Sequence, residues 1–146
     1  MRVFAASALL CLAACSLHKP DFRELSFRPS QDPQIFEATA LGRTVQLIEP
    51  DSVVHPKEFL GPLRIAGACT ANVSQVITVY ASRDVNYLIA INHTGETQFA
   101  HFIDIRSCRE LWPPLKATVP IQVTGDAIQI EKGTWLRLSN ETPPNV

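Results

Sequence analysis

The sequence lacks an excess of charge of either sign. It carries 13 Lys and Arg residues against 14 Asp and Glu residues, for a net charge of −1, and only 18% of its 146 residues are charged. Binding a run of nucleic-acid phosphates requires a cluster of cations, and a disordered acidic or basic tail requires a charge excess. The composition therefore excludes both classes, and we expect no nucleic-acid partner.

The chain also lacks the short motifs that mark many catalytic and metal sites. It has no Gly-x-Ser-x-Gly elbow, no His-Glu-x-x-His helix motif and no glycine-rich phosphate loop. His55, His93 and His101 are not spaced as a metal-ligand set, and His101 lies on an apolar strand face, which is typical of a hydrogen-bonded core histidine. We therefore expect no enzymatic activity, no metal and no cofactor; an envelope enzyme would need a polar cluster formed by the tertiary structure.

A long apolar run is absent as well. The uncharged segment that follows Arg2 ends in the small residues Ala13 and Ala14, and it is shorter than the roughly 20 residues that a transmembrane helix needs. A basic residue, a short apolar run and small residues are the three parts of a secretory signal. The sequence predicts an exported protein without a membrane-spanning helix.

The end of this run, Leu12-Ala13-Ala14-Cys15, resembles the lipobox of bacterial lipoproteins. The resemblance implies cleavage after Ala14, attachment of diacylglycerol to the Cys15 sulfur and acylation of its amine, and two or more acyl chains anchor a protein stably. Ser16 resembles the residue found at that position in lipoproteins sorted to the outer membrane. We therefore expect a lipid-anchored bacterial outer-membrane protein whose domain faces the periplasm; the alternative is an ordinary signal peptide in which Cys15 is incidental.

Composition divides the chain into four parts. Residues 1–14 are the predicted signal peptide, 15–34 the lipidated Cys and a tether, 35–139 a single β domain and 140–146 a flexible tail. The tether has three prolines and no sustained apolar period, although its apolar side chains Phe22, Leu25 and Phe27 could dock on the domain. The tail carries two further prolines.

Apolar residues recur at every second position along the domain, which is the period of β-strands. We predict an all-β fold of about seven or eight mostly antiparallel strands, arranged as a small β-barrel or β-sandwich with one disulfide. The expected strands are 43–49, a segment near 63–67, 73–80, 85–92, 97–105 and a meander with two-residue turns over 119–138.

Four cysteines leave a single pair in the mature domain. Cys11 departs with the signal and Cys15 carries lipid, so Cys69 and Cys108 remain, and an oxidising compartment favours a disulfide between them. The alternatives are two buried free thiols or a redox or metal role. If strands 73–80, 85–92 and 97–105 form a flat meander, these cysteines lie roughly 25 Å apart. The pair therefore predicts that the sheet coils or that flanking segments fold back over it.

The most distinctive local segment begins at Cys108 and runs through Arg109, Trp112, Pro113 and Pro114. Proline restricts the backbone, and Trp and Arg are enriched at the energetic centres of protein interfaces. We predict that these residues form a rigid partner-binding loop, with Phe59 as the apolar anchor of a second one. In the alternative interpretation, Trp112 and Leu115 cap one end of the domain.

The sequence thus favours a non-enzymatic lipoprotein whose β domain binds another envelope protein. The expected role is that of an immunity or inhibitor protein, or of an accessory subunit in an envelope secretion assembly. The alternative is a carrier of a lipid or other apolar ligand inside the domain, which large inward-facing side chains would oppose.

Overall fold

The structure is a computed structural model, and it describes residues 19–140 and 142–144. The predicted signal peptide and Cys15 lie outside the described residues. In the part that is described, the fold is all-β, as predicted, and no helix is long and apolar enough to cross a membrane. The strands are β1 (Arg23–Glu24), β2 (Arg28–Pro29), β3 (Ile35–Ala40), β4 (Arg43–Ile48), β5 (Arg64–Ile65), β6 (Cys69–Thr70), β7 (Val76–Ala81), β8 (Tyr87–Thr94), β9 (Thr97–Asp104), β10 (Leu115–Lys116), β11 (Gln122–Thr124), β12 (Ala127–Glu131) and β13 (Thr134–Arg137).

Eight of these strands have three or more residues, which agrees with the predicted number. The other five, β1, β2, β5, β6 and β10, have two residues each. A two-residue strand is too short to display a period of two, and of these five only β5 lies in a predicted strand, the segment near 63–67.

The strands form three antiparallel sheets. The central sheet has the order β1-β7-β8-β9-β10, the first outer sheet β2-β3-β4-β5-β6 and the second outer sheet β11-β12-β13. Each sheet is open in the described residues, so the sandwich rather than the barrel describes this fold. The second outer sheet is the predicted meander, with two residues between successive strands.

Strand β8 is buried on both faces because the central sheet lies between the two outer sheets. Leu88 and Ala90 join a core that includes Val45 and Leu47 of the first outer sheet. Tyr87, Ile89 and Ile91, whose spacing of two residues puts them on one face, join a second core that includes Ile128 and Ile130 of the second outer sheet. A strand covered on both faces has a nearly continuous apolar run, as this one does.

The predicted disulfide is confirmed and joins the first outer sheet to the central sheet. Cys69 lies in β6 and Cys108 lies four residues beyond the end of β9, with their Cα atoms 5.8 Å apart. The separation expected for a flat meander does not arise, because the chain before β7 belongs to a different layer. The segment containing Cys69 crosses over the central sheet, which is one of the two arrangements that the sequence required.

Residues 21–29, which we call the strap, were expected to be part of the tether and instead pair with all three sheets. β1 pairs with β7, β2 pairs with β3, and Phe22 forms a bridge with Gly125 beside β11. Phe22 is only 3% exposed, and Leu25 and Phe27 pack against the first core. Burial of these side chains explains why the folded part begins before residue 35.

The carboxyl-terminal segment, expected to be flexible from residue 140, makes specific contacts at its start. The Tyr87 hydroxyl donates to the carbonyl oxygen of Ser139 over 2.8 Å, and the amide of Thr142 donates to the Ser139 hydroxyl. Pro144 is buried. The chain after β13 is therefore held against the domain by these contacts.

Candidate partner-binding surface

Residues 106–114, here called the anchored loop, are held by backbone hydrogen bonds to the end of β9. The amide of Asp104 donates to the carbonyl of Arg109, and the amide of Cys108 donates to the carbonyl of Asp104. Farther along, the amide of Leu111 donates to the carbonyl of Phe102. Cys108 has a φ of 57°, in the left-handed region that non-glycine residues rarely adopt, and it forms the disulfide with Cys69.

Trp112 fixes the far end of the anchored loop. Its ring meets those of Tyr87 and Phe102 edge-on, with centroids 5.3 Å away in each case, and it packs against the second core. Edge-to-face geometry is favourable for aromatic pairs. Trp112 is thus partly buried against the second core, which agrees with the packing role in the alternative interpretation of the sequence.

The other predicted binding residues of this loop lie on its outside. Arg109, Pro113 and Pro114 are exposed, and Leu111 between them is 41% exposed. Proline has no amide hydrogen and cannot donate a hydrogen bond to β9. The chain leaves β9 at Pro113 and Pro114 and returns to it as β10. The loop therefore presents a cation, an apolar side chain and two rigid prolines on an ordered backbone.

A cleft of about 290 Å³ adjoins the anchored loop. Leu111 and Arg106 of the anchored loop line it, together with the acidic residues Asp84 and Asp104. Asp104 accepts a hydrogen bond from the amide of Arg106 over 2.8 Å. Arg106 and Arg109 are exposed, and neither forms a salt bridge with any other described residue.

A histidine of β9 contacts the anchored loop. His101 of β9 contacts the Glu110 carboxylate through Nδ1 and the side-chain oxygen of Asn92 through Nε2, the latter over 2.9 Å. Its side chain is mostly buried. His101 is hydrogen-bonded, as predicted, but it belongs to neither core, and its partner Glu110 lies in the anchored loop. The sequence did not indicate that His101 contacts Glu110.

Phe59 does not lie on the surface, although we expected it to anchor a second binding loop. It is 5% exposed and packs against Phe36 and Phe27, with ring centroids 5.3 and 6.3 Å away. Its backbone bridges both Pro50 and Val76, which draws the ring into the first core. Phe59 therefore supports the loop over residues 50–62 from inside.

A second histidine joins that loop to the β8–β9 turn. His93 contacts the Glu58 carboxylate through Nε2 and the carbonyl of Gly95 through Nδ1, the latter over 3.0 Å. The hydrogen bond to Glu58, followed by that to Gly95, raises the pKa of His93 above its ordinary value. Asp51 closes the same loop by accepting from the amides of Lys57 and Glu58, and these bonds lower the pKa of its carboxyl group.

A groove of about 430 Å³ separates the strap from the loop over residues 50–62. Leu25 and Phe27 line it on the strap side, and Val54, Pro56 and Phe59 line it on the other. Val54 is the most exposed large apolar residue described, at 74%. The groove is open to solvent and mixes these apolar side chains with polar ones.

In the described ranges, no group of three or more His, Cys, Asp or Glu side chains is arranged to hold a metal ion. Comparison with known proteins finds no family model, no curated protein and no solved structure that matches the chain.

Proposed function

We propose that this chain is a non-enzymatic, lipid-anchored protein of the bacterial outer membrane, and that its anchored loop binds another envelope protein. The observation that carries the proposal is the combination of a rigid backbone and exposed side chains between Arg106 and Pro114. A preordered loop loses little conformational entropy when it binds, so more of its contact energy appears as affinity.

The charge of the loop indicates the chemistry of the partner. Arg106 and Arg109 extend from the same short segment, and Leu111 lies close to both in sequence. Arginine side chains recognise carboxylates through paired hydrogen bonds, and a partly exposed leucine adds apolar contact. We therefore propose a partner that presents carboxylates around a small apolar recess. Such a partner fits the role of an immunity or inhibitor protein, and equally that of an accessory subunit of a secretion assembly.

The proposal is tested by crosslinking and capture from native envelopes with the full-length chain as bait. Arg109→Glu and Leu111→Asp should each reduce recovery of a stoichiometric partner by about tenfold or more, because one reverses a charge and the other places a charge in an apolar contact. Arg43→Glu is the matched control, since Arg43 is also an exposed arginine but lies in the β3–β4 hairpin of the first outer sheet.

Thermal unfolding distinguishes loss of binding from loss of fold. Both loop variants should keep the melting temperature of the wild-type chain to within about 2 °C, because the altered side chains are exposed. Equal recovery of the partner by the wild-type chain and both loop variants would overturn the assignment to the anchored loop. Recovery of no stoichiometric protein by any version would overturn the binding role.

Membrane attachment is tested separately at Cys15. Intact-mass measurement of the mature protein should show a first residue at Cys15 carrying acyl chains, and Cys15→Ser should abolish both cleavage and lipid addition. A mature protein that begins elsewhere and carries no lipid would instead support an ordinary signal peptide.

A lipid carrier is the second candidate, and the groove between the strap and residues 50–62 favours it. The groove is lined by Leu25, Phe27 and Val54, and it lies at the surface rather than inside the sandwich, where the large side chains of Tyr87 and Phe102 fill the second core. Native mass spectrometry of detergent-free protein should detect a bound apolar molecule if this groove carries one. A clean protein mass would exclude the carrier role.

A further inference from the structure

β13 is the longest edge strand among the described residues. Four of the six sheet edges are strands of two residues, β11 has three and β13 has four. Trp135, at the second position of β13, is 45% exposed. Proteins usually shorten or cover such edges because an open edge pairs readily with another strand.

The register shows which backbone groups of β13 are open. The amide of Leu138 donates to the carbonyl of Asp126 over 2.7 Å. This bond makes the neighbouring pair, Ala127 and Arg137, a non-hydrogen-bonded pair of the antiparallel ladder. Trp135, two residues earlier, forms a non-hydrogen-bonded pair of the same kind with Gln129. The N–H and C=O groups of Trp135 and Arg137 therefore point away from β12, and no described residue forms a hydrogen bond with them.

The side chains alternate in the same way. Leu136 packs against the second core, so Trp135 and Arg137 extend from the opposite, solvent-facing side of the sheet. The Arg137 guanidinium is ion-paired with Asp126 over 2.6 Å and remains largely exposed. The open edge thus presents an aromatic and a cationic side chain two residues apart.

We propose that β13 binds β13 of a second copy of this chain, antiparallel and with a two-fold axis at Leu136. This register places Trp135 of each copy opposite Arg137 of the other in a hydrogen-bonded pair, so the open amides and carbonyls satisfy one another. Each guanidinium then lies beside an indole ring, an arrangement in which cation and aromatic ring attract. The two three-stranded sheets become one six-stranded sheet with an isologous interface.

This occupant fits the edge better than an unrelated strand. A cation at a sheet edge normally discourages pairing. In the two-fold register, however, neither arginine faces the other, and both face an aromatic surface supplied by the same sequence. In this register the order Trp-Leu-Arg is complementary to itself, so the edge favours a second copy of the chain as its partner.

Thiol crosslinking tests the register in the detergent-solubilised full-length chain. Trp135→Cys copies are mixed with Arg137→Cys copies and oxidised, and dimers are scored on non-reducing gels. A hydrogen-bonded antiparallel pair brings Cα atoms to about 5.5 Å, which suits a disulfide. Each mixed dimer also keeps one pair of Trp135 and Arg137, contributed by the two different copies. We expect the mixed sample to form a crosslinked dimer, and each variant oxidised alone to form several-fold less.

Two further variants make the outcome decisive. Gln129→Cys, on the same face but in the middle strand of the sheet, should not crosslink with either variant. Trp135→Ala in an otherwise unaltered chain should weaken dimerisation by about tenfold in sedimentation equilibrium, since it removes both cation–aromatic pairs. Equal crosslinking in single and mixed samples, or a wild-type chain that stays monomeric at high micromolar concentration, would overturn the proposal.

Discussion

Cys69 and Cys108 join two sheets that have no other covalent connection besides the chain itself. Cys69 lies in the edge strand of the first outer sheet, and Cys108 is a buried residue of the anchored loop, between the exposed Arg106 and Arg109. The same bond therefore closes the first core and holds the proposed binding surface. Stability and presentation of the loop are coupled through these two residues.

Removal of the disulfide should destabilise the domain. The cysteines are 39 positions apart, and crosslinks that close loops of this length typically contribute about 2–4 kcal/mol. We expect Cys69→Ala/Cys108→Ala to lose that amount of unfolding free energy in urea titration under oxidising conditions. Wild-type protein treated with a reductant should lose a similar amount, and a loss of less than about 1 kcal/mol in both cases would contradict a structural role for the bond.

Trp112 should contribute to stability more than its neighbour Leu111. Trp112→Ala removes a ring that contacts Tyr87 and Phe102, and we expect a loss of about 2 kcal/mol of unfolding free energy, below the range for a fully buried tryptophan. Leu111→Ala, at a more exposed site, should cost less than about 1 kcal/mol. Chemical denaturation of both variants and the wild-type chain measures these losses. If Trp112→Ala were as stable as wild type but could not bind a partner, the indole would belong to the interface instead.

Stability should depend on pH through His93. Its pKa is raised in the folded chain, so the contact with Glu58 contributes fully below the unfolded pKa near 6.5 and is lost as the pH rises through the folded value. We expect a higher unfolding free energy at pH 6 than at pH 9, by at most about 1 kcal/mol because the pair is partly exposed.

Variants at the same contact identify the source of that pH dependence. Glu58→Gln and His93→Gln should each remove the greater part of the difference in unfolding free energy between pH 6 and pH 9. His55→Gln is the control, because His55 is an exposed histidine of the same loop. An unchanged pH profile in both His93→Gln and Glu58→Gln would assign the dependence to other groups.

The strap should be an integral part of the domain. Phe22→Ala removes a ring that is buried in the second core beside Tyr87, with centroids 5.5 Å apart, and should cost about 3 kcal/mol. Arg28→Ala, an exposed strap residue, should cost less than about 0.5 kcal/mol. Hydrogen exchange should show protection of the Phe22 and Leu25 amides, which donate to Gly125 and Val79. Rapid exchange at both amides would mean that the strap is not docked in solution.

The hydroxyl of Tyr87 should hold the carboxyl-terminal segment. Burial raises the pKa of Tyr87, so the phenol stays protonated and can donate to the Ser139 carbonyl at ordinary pH. Tyr87→Phe should lower the unfolding free energy by about 1 kcal/mol. It should also speed exchange or proteolysis after residue 138, whereas Tyr80→Phe, on β7, should leave that segment unchanged.

Strand predictions succeeded where one face of a strand is uniformly apolar. Tyr87, Ile89 and Ile91 share a core as their spacing indicated. The alternation fails at β7, where the spacing of Ile77 and Val79 in the predicted strand 73–80 would place both side chains on one face. A register shift between Val76 and Thr78 lies within this strand, and Val76 is fully buried while Ile77 is only partly so. An extra residue in one strand reverses the alternation, and periodicity alone does not reveal it.

The candidate site was predictable in part. Arg109, Pro113 and Pro114 are exposed on an ordered loop, whereas Phe59 is in the core and Trp112 is half covered by aromatic rings. Residue type indicates which side chains suit an interface, but exposure depends on which layer covers them. The open edge at β13 had no signal in the sequence, because an edge is defined by what lies beside a strand.

Local patterns determined the all-β class, the main strands and the pairing of the two remaining cysteines, because alternation and residue counts are properties of neighbours along the chain. The lipobox remains a prediction of the same kind. Only the tertiary structure decided that three sheets stack in layers, that the strap pairs with each of them, and that His101 and His93 contact Glu110 and Glu58. These relationships depend on contacts between distant segments, and a pattern with a period of two contains no information about which sheet a strand will join.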